Sequence, residues 1–212
     1  MGLVLAFVAR LITGAQGHWK GCPPKAEQRI YFANHQSHLD WVLIWAALPQ
    51  ELRSHTRPIA ARDYWTSSPF KQWLTTEVFH AVYVQRSRAA PQASTDTVQS
   101  EAGQDPLEPL VEALAQGDSL VIFPEGTRNH GAEPAAFKSG LYHLARQFPR
   151  VQLVPTWIDN VQRVMPKGEV VPVPVLCTVT FGEPLQLRPD EERQLFLVRA
   201  RSAVLAMRPV VR

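Results

Sequence analysis

The sequence predicts an α/β fold in which a central, mostly parallel or mixed sheet is flanked by helices. Three observations lead there. Several short segments are apolar along their whole length, as strands buried on both faces are. Segments with helical spacing alternate with them, the pattern of a sheet covered on two sides. The chain's 212 residues, 45% of them hydrophobic, suit one core, so residues 1–212 are read as a single domain.

The first segment, Met1 to Ala9, is apolar, with Arg10 and then Leu11-Ile12 after it. It falls short of the roughly 20 apolar residues of a membrane-crossing helix. It lacks the positive flank of a signal peptide, and Ala6 stands where myristoylation requires Ser or Thr. Residues 1–16 therefore read as a short apolar helix, which either packs on the core or dips one side into a lipid interface.

Ile30 to Ala33 reads as a buried strand ending at Asn34-His35. Ser37 can cap a helix through Trp41, Leu43, Ile44 and Leu48, stopped by Pro49. Ile59 to Ala61 reads as a strand and Val78 to Val84 as a β-rich run, with a helix from Ser68-Pro69 through Leu74 between them. Residues 87–105 are polar and rich in Ala, Gln, Ser and Pro, a surface loop. Helical spacing follows over Leu107 to Ala115, then a strand over Ser119 to Phe123, broken by Pro124-Glu125-Gly126. A helix over Lys138 to Gln147, strands over Val151 to Ile158 and Val175 to Phe181, and a helix over Asp190 to Ala206 complete the chain.

Composition narrows the function. Two distant cysteines, Cys22 and Cys177, fit neither a disulfide framework nor a ligand spacing, which suits a reducing compartment. The net charge of +3 and a pI near 9.1 favour anionic partners. No Lys/Arg cluster interleaved with aromatics marks a nucleic-acid groove, and no nucleic acid is expected as a partner.

Two polar clusters sit directly after buried strands, where open α/β sheets bind their ligands. The first is Asn34-His35-Gln36-Ser37-His38-Leu39-Asp40. A histidine can take a proton from a hydroxyl when a carboxylate fixes its tautomer. Five residues apart, His35 and Asp40 would lie about 140° apart on a continuous helix, so they meet only if the chain turns at Ser37. Ser37 to Asp40 equally fits a helix-capping pattern with no chemistry attached. A metal site on His35, His38 and Asp40 would need further ligands, and only scattered histidines are available.

The second cluster is Phe123-Pro124-Glu125-Gly126-Thr127-Arg128. Gly126 allows a tight turn, Thr127 offers a hydroxyl and Arg128 a bidentate fork for phosphate. Lys138 and Arg86 can add positive charge. A strand-ending turn with surface arginines is the alternative reading of the same residues.

Together these blocks resemble the glycerolipid acyltransferase family, with its N-H-x-S-x-x-D, a strand ending in Arg, F-P-E-G-T-R and a later V-P. Here they are Asn34 to Asp40, Tyr83-Val84-Gln85-Arg86, Phe123 to Arg128 and Val154-Pro155, in that order. The resemblance covers about residues 30 to 160 and implies that His35 is the general base and Asp40 its orienting partner. It assigns Glu125, Gly126, Thr127 and Arg128 to an acceptor-phosphate site, assisted by Arg86. Beside a phosphate a carboxylate repels, so Glu125 is expected to orient Arg128 or another cation.

The implied reaction moves an acyl chain from acyl-CoA or acyl-carrier protein to lysophosphatidate, giving phosphatidate. The thioester is a co-substrate, and no cofactor or metal is expected. Another lysophospholipid, glycerol-3-phosphate or an amino-acid lipid is an alternative acceptor. A lipid-surface binding module without catalysis would use the same basic and apolar features but not His35 and Asp40. A serine hydrolase is disfavoured, since no G-x-S-x-G elbow is present. Peripheral attachment at the cytoplasmic face of the inner (plasma) membrane is expected.

Overall fold

The structure, a computed structural model, describes residues 16–37, 39–61, 65–84, 105–129, 131, 133–159 and 177–209. Its elements in chain order are β1 (Gln16–Trp19), β2 (Arg29–Ala33), α1 (Asp40–Ala47), α2 (Gln50–Arg53), β3 (Thr56–Ala61) and α3 (Pro69–Trp73). A π-helical turn (Leu74–Val78) follows, then β4 (Val82–Val84), α4 (Glu108–Ala115), β5 (Ser119–Ile122), α5 (Gly140–Gln147), β6 (Gln152–Asp159), β7 (Thr178–Phe181) and α6 (Arg193–Ala206).

The strands form one seven-stranded sheet in the order β1-β7-β6-β2-β5-β3-β4. Every pairing is parallel except β6 with β7. Alternation along β2 explains why its sequence is apolar throughout. Tyr31 and Ala33 face a core with Trp41, Leu43 and Ile44 of α1, while Ile30 and Phe32 face a second core. That second core receives Leu110 and Leu114 of α4, Leu141 and Leu144 of α5, and Phe196 and Ala200 of α6. A strand with no solvent face has no place for polar alternation. Burying one such Phe or Ile contributes on the order of 1.5–3 kcal/mol.

β2 lies between β5 and β6, in register Phe32↔Ile122 and Phe32↔Pro155. The two polar clusters, which follow β2 and β5, thus leave neighbouring parallel strands at the same edge of the sheet.

Several expectations shift. α1 starts at Asp40 with Leu39 at its N-cap position, later than a cap at Ser37 predicts, although the Ser37 hydroxyl does accept the Leu39 N–H at 3.2 Å. The run Val78 to Val84 splits: Leu74–Val78 is helical and only Val82–Val84 pairs with the sheet. His80, at φ +46°, and an Ala81 N–H bond to Thr75 O make the reversal. α5 begins at Gly140, two residues later than read, and α6 at Arg193. The edge strand β1 was not anticipated, and it takes Gln16 from the helix read over 1–16. The rest of that segment, and the 87–105 loop up to Asp105, lie outside the described residues. Asp105 itself accepts the Leu107 N–H at 2.9 Å and so supports the start of α4. Among the described residues no helix is long and apolar enough to cross a membrane.

Candidate active site

The chain leaving β2 is fixed first. Asn34, buried, donates through Nδ2 to Ile158 O at 3.0 Å and accepts the Ile158 N–H at 2.8 Å, which clamps the strand exit to β6. His35 follows, held from both sides of its peptide. Its N–H donates to Glu125 Oε1 at 2.8 Å, and its C=O accepts the Asn129 N–H at 2.7 Å. The ring stacks on Phe123, with centroids 4.2 Å apart and planes 15° from parallel.

His35 Nδ1 lies 2.8 Å from Asp40 Oδ2. The same oxygen accepts the backbone N–H groups of Gln36 at 2.6 Å and Ser37 at 2.9 Å. These two bonds fold residues 35–37 back over the start of α1, which is how side chains five positions apart meet. An ionised carboxylate only accepts, so His35 Nδ1 carries the proton and Nε2 is left as the basic nitrogen. Among the described residues Nε2 has no hydrogen-bond partner, and the His35 side chain is 15% exposed against 1% for Asp40. Asp40 is inside and the imidazole opens outward.

The second cluster forms the neighbouring wall. Gly126 has φ +73° and its N–H closes the turn onto Phe123 O at 3.0 Å. A Cβ at Gly126 would lie 2.7 Å from Lys138 Nζ, so the absent side chain leaves room for the lysine. The Lys138 N–H also donates to Pro124 O at 2.8 Å. Gly126, Thr127, Arg128 and Lys138 are exposed together, and Asn129, bonded to His35, sets this turn against the imidazole. Two cations, a hydroxyl and an open turn beside a base suit an anionic substrate carrying a hydroxyl.

Glu125 differs from its expected role. It is 3% exposed and does not pair with Arg128. Its Oε1 accepts the His35 N–H and its Oε2 the Ala135 N–H at 2.7 Å. A buried carboxylate with two backbone donors is a brace between the two clusters. Arg86 and His38 lie outside the described residues. The sequence reading gave no role to Asn34, Phe123 or Asn129. Asn34 and Phe123 stood inside the quoted blocks, next to the residues they fix, and that adjacency was the available signal.

Behind the pair, Cys177 is fully buried and burial pushes its thiol up to about 11, with the charges of Asp159 and Asp40 adding in the same direction. Among the described residues no three His, Cys, Asp or Glu side chains converge as metal ligands do.

Comparison with known proteins follows the same outline. A protein-family model described as Acyltransferase matches residues 22–159. The 1-acyl-sn-glycerol-3-phosphate acyltransferase alpha of Ovis aries is 32% identical over 173 residues, 79% of this chain and 54% of the relative. The human protein of that name is 32% identical over 148 residues, 69% of this chain and 46% of the relative. Tafazzin of Drosophila melanogaster is 24% identical over 167 residues, 77% of this chain and 42% of the relative. The chain thus spans about half the length of the curated relatives it matches. The crystal structure of the 1-acyl-sn-glycerophosphate (LPA) acyltransferase PlsC from Thermotoga maritima shares the fold, with TM-score 0.65 and 19% identity over 96% of this chain and 78% of that one.

Proposed function

The chain belongs to the acyltransferase family, and from that premise we propose that it transfers a fatty acyl chain from acyl-CoA or acyl-carrier protein to the free hydroxyl of lysophosphatidate, giving phosphatidate. The observation that carries this reading is the 2.8 Å contact of His35 Nδ1 with buried Asp40 Oδ2, beside a turn that exposes Arg128 and Lys138.

A glycerol hydroxyl is too weak an acid to attack a thioester unaided, so its proton passes to His35 Nε2 as the new C–O bond forms. Asp40 steadies the imidazolium. Collapse of the tetrahedral intermediate breaks the C–S bond, and the departing thiolate takes the proton back from Nε2. Atoms and charge balance without a covalent enzyme intermediate. Arg128, Lys138 and Thr127 hold the acceptor phosphate, with Arg86 as a further cation. Attachment is peripheral, at the cytoplasmic face of the inner membrane, driven mainly by residues 1–12 with nearby basic side chains.

The test is a radiolabelled acyl donor offered to the purified protein with lysophosphatidate, other lysophospholipids and glycerol-3-phosphate. Transfer to lysophosphatidate that disappears in His35→Ala is expected. Transfer that persists unchanged in His35→Ala, or a labelled acyl-enzyme that survives denaturation, would refute the mechanism. Turnover favouring another acceptor would reassign the substrate.

A further inference from the structure

We propose that Arg201, on α6 and beyond the residues 22–159 matched by the family model, is a positioning residue for His35. The inference rests on the acyltransfer reading only for its kinetic arm.

Phe196, Leu197, Ala200 and Val204 of α6 enter the core, which fixes the helix and leaves Arg201 at the margin of the fold. Its guanidinium reaches the segment after the Gly126 turn, donating from Nε to Pro134 O at 2.8 Å and from an Nη to Glu133 Oε2 at 2.9 Å. Two routes lead on from there. Ala135, next to Pro134, donates its N–H to Glu125 Oε2 at 2.7 Å, and Glu125 Oε1 accepts the His35 N–H at 2.8 Å. Glu133 O accepts Asn129 Nδ2 at 2.6 Å, and the Asn129 N–H donates to His35 O at 2.7 Å. Both polar groups of the His35 peptide are thus tied to one segment, and Arg201 ties that segment to a packed helix.

The imidazole's tautomer and direction depend on the Asp40 contact, and a misplacement of about 1 Å can cost roughly 10²-fold in rate. Loss of the Arg201 tether frees residues 133–135, loosens both His35 bonds and spreads the ring over orientations that do not aim Nε2 at the hydroxyl.

Arg199 supplies the control. Two residues earlier on the same helix, it makes a bidentate pair with Glu191 at 2.7 and 2.6 Å and a bond to Gln186 O at 2.8 Å. Among the described residues neither partner bonds to a residue of the site. Arg199→Met therefore weakens the docking of α6 without touching the His35 ties.

The experiment compares full-length wild type, Arg201→Met, Arg201→Lys and Arg199→Met. It reads kcat and KM for both substrates, the thermal midpoint, and the His35 tautomer from long-range 1H–15N NMR. Arg201→Met is expected to lower kcat tenfold or more with donor KM unchanged, and to mix the His35 tautomers. Arg201→Lys, which keeps one donor for Pro134 O, recovers part of both. Arg199→Met is expected to lower the midpoint at least as far while kcat stays within twofold and the tautomer stays pure. An unchanged His35 spectrum in Arg201→Met, or the same kinetic and spectral change in Arg199→Met, would overturn the proposal. A wild type without transfer to any acceptor would remove the acyltransfer reading instead, and the tautomer would still decide the role of Arg201.

Discussion

Two kinds of residue meet beside the Gly126 turn, and their kinetic signatures separate. Under the proposed mechanism His35 and Asp40 act on the proton, so their loss would be felt in the transition state. Arg128 and Lys138 are exposed charges, and under the same proposal they would hold an anion in ground and transition states alike. His35→Ala is expected to reduce kcat by about 10²–10⁴, the usual share of a positioned base, with acceptor KM little changed. Charge-assisted hydrogen bonds are worth about 1.5–3 kcal/mol, so Arg128→Ala is expected to raise acceptor KM roughly 10- to 100-fold. Donor KM should not move. Steady-state kinetics with each substrate varied in turn checks the split, and an Arg128→Ala enzyme with ordinary acceptor KM would remove the phosphate role. Gly126→Ala belongs with this group, since its Cβ would press on Lys138 and its φ of +73° strains an L side chain.

At the scale of elements, the two loops at the strand ends behave as one unit because Glu125 spans them. Each carboxylate oxygen accepts one backbone N–H, from His35 and from Ala135. Glutamine has the same shape but replaces one acceptor by an NH₂ that faces a donor. Glu125→Gln is therefore expected to cost about 1–3 kcal/mol, the penalty of a buried unpaired donor, and to lower kcat as well. Chemical denaturation together with turnover measures both, and a variant with unchanged stability would mean the brace is idle. This brace is also where the sequence was least legible. Polar residues after β2 and β5 could be read as a site because strand ends gather ligands, and apolar runs such as Ile30 to Ala33 showed which strands were buried on both faces. Glu125 read as a group that would orient a cation because the letters E-G-T-R do not say which way a side chain turns. That is decided by Ala135, ten residues on, and by His35, ninety residues back. The split of Val78 to Val84 was hidden for a similar reason. Phe79 leaves the strand pattern to pack edge-on against Trp41 and Trp45, a contact between distant segments that outweighs the β-propensity of its neighbours. β1 carries only Gln16-Gly17-His18-Trp19, and an edge strand this short and polar has no periodic signal.

At the scale of the whole molecule, one of its two buried thiols, Cys177, and the phenol of Tyr31 couple the site to the stability of the sheet. Cys177 precedes β7, whose Thr178 is in register with Asp159 at the end of β6, so the thiol is enclosed near two carboxylates. Burial, then the charges of Asp159 and Asp40, lift its pKa from the ordinary 9.0 to about 11. Tyr31, in the same core, is lifted by burial from 10.0 to about 12, against the opposing pull of Arg29. The sign of the linkage follows from proton counts. Below pH about 9 both folded and unfolded chains keep the Cys177 proton, and the stabilising contribution is fully present. Between about 9 and 11 the unfolded chain releases that proton while the folded one retains it, so unfolding becomes more favourable as pH rises. Tyr31 repeats the effect about one pH unit higher. The fold is therefore expected to lose stability steadily above pH 9. Cys177→Ala removes the first of these two titrations and leaves a small cavity. It should be less stable than wild type at pH 8, and the gap should narrow as the pH approaches 11. Denaturant midpoints measured at intervals across that range test this directly. A wild-type-to-variant gap that stays constant from pH 8 to 11 would mean that the thiol titrates alike in both states, and that Cys177 is not enclosed beside Asp40.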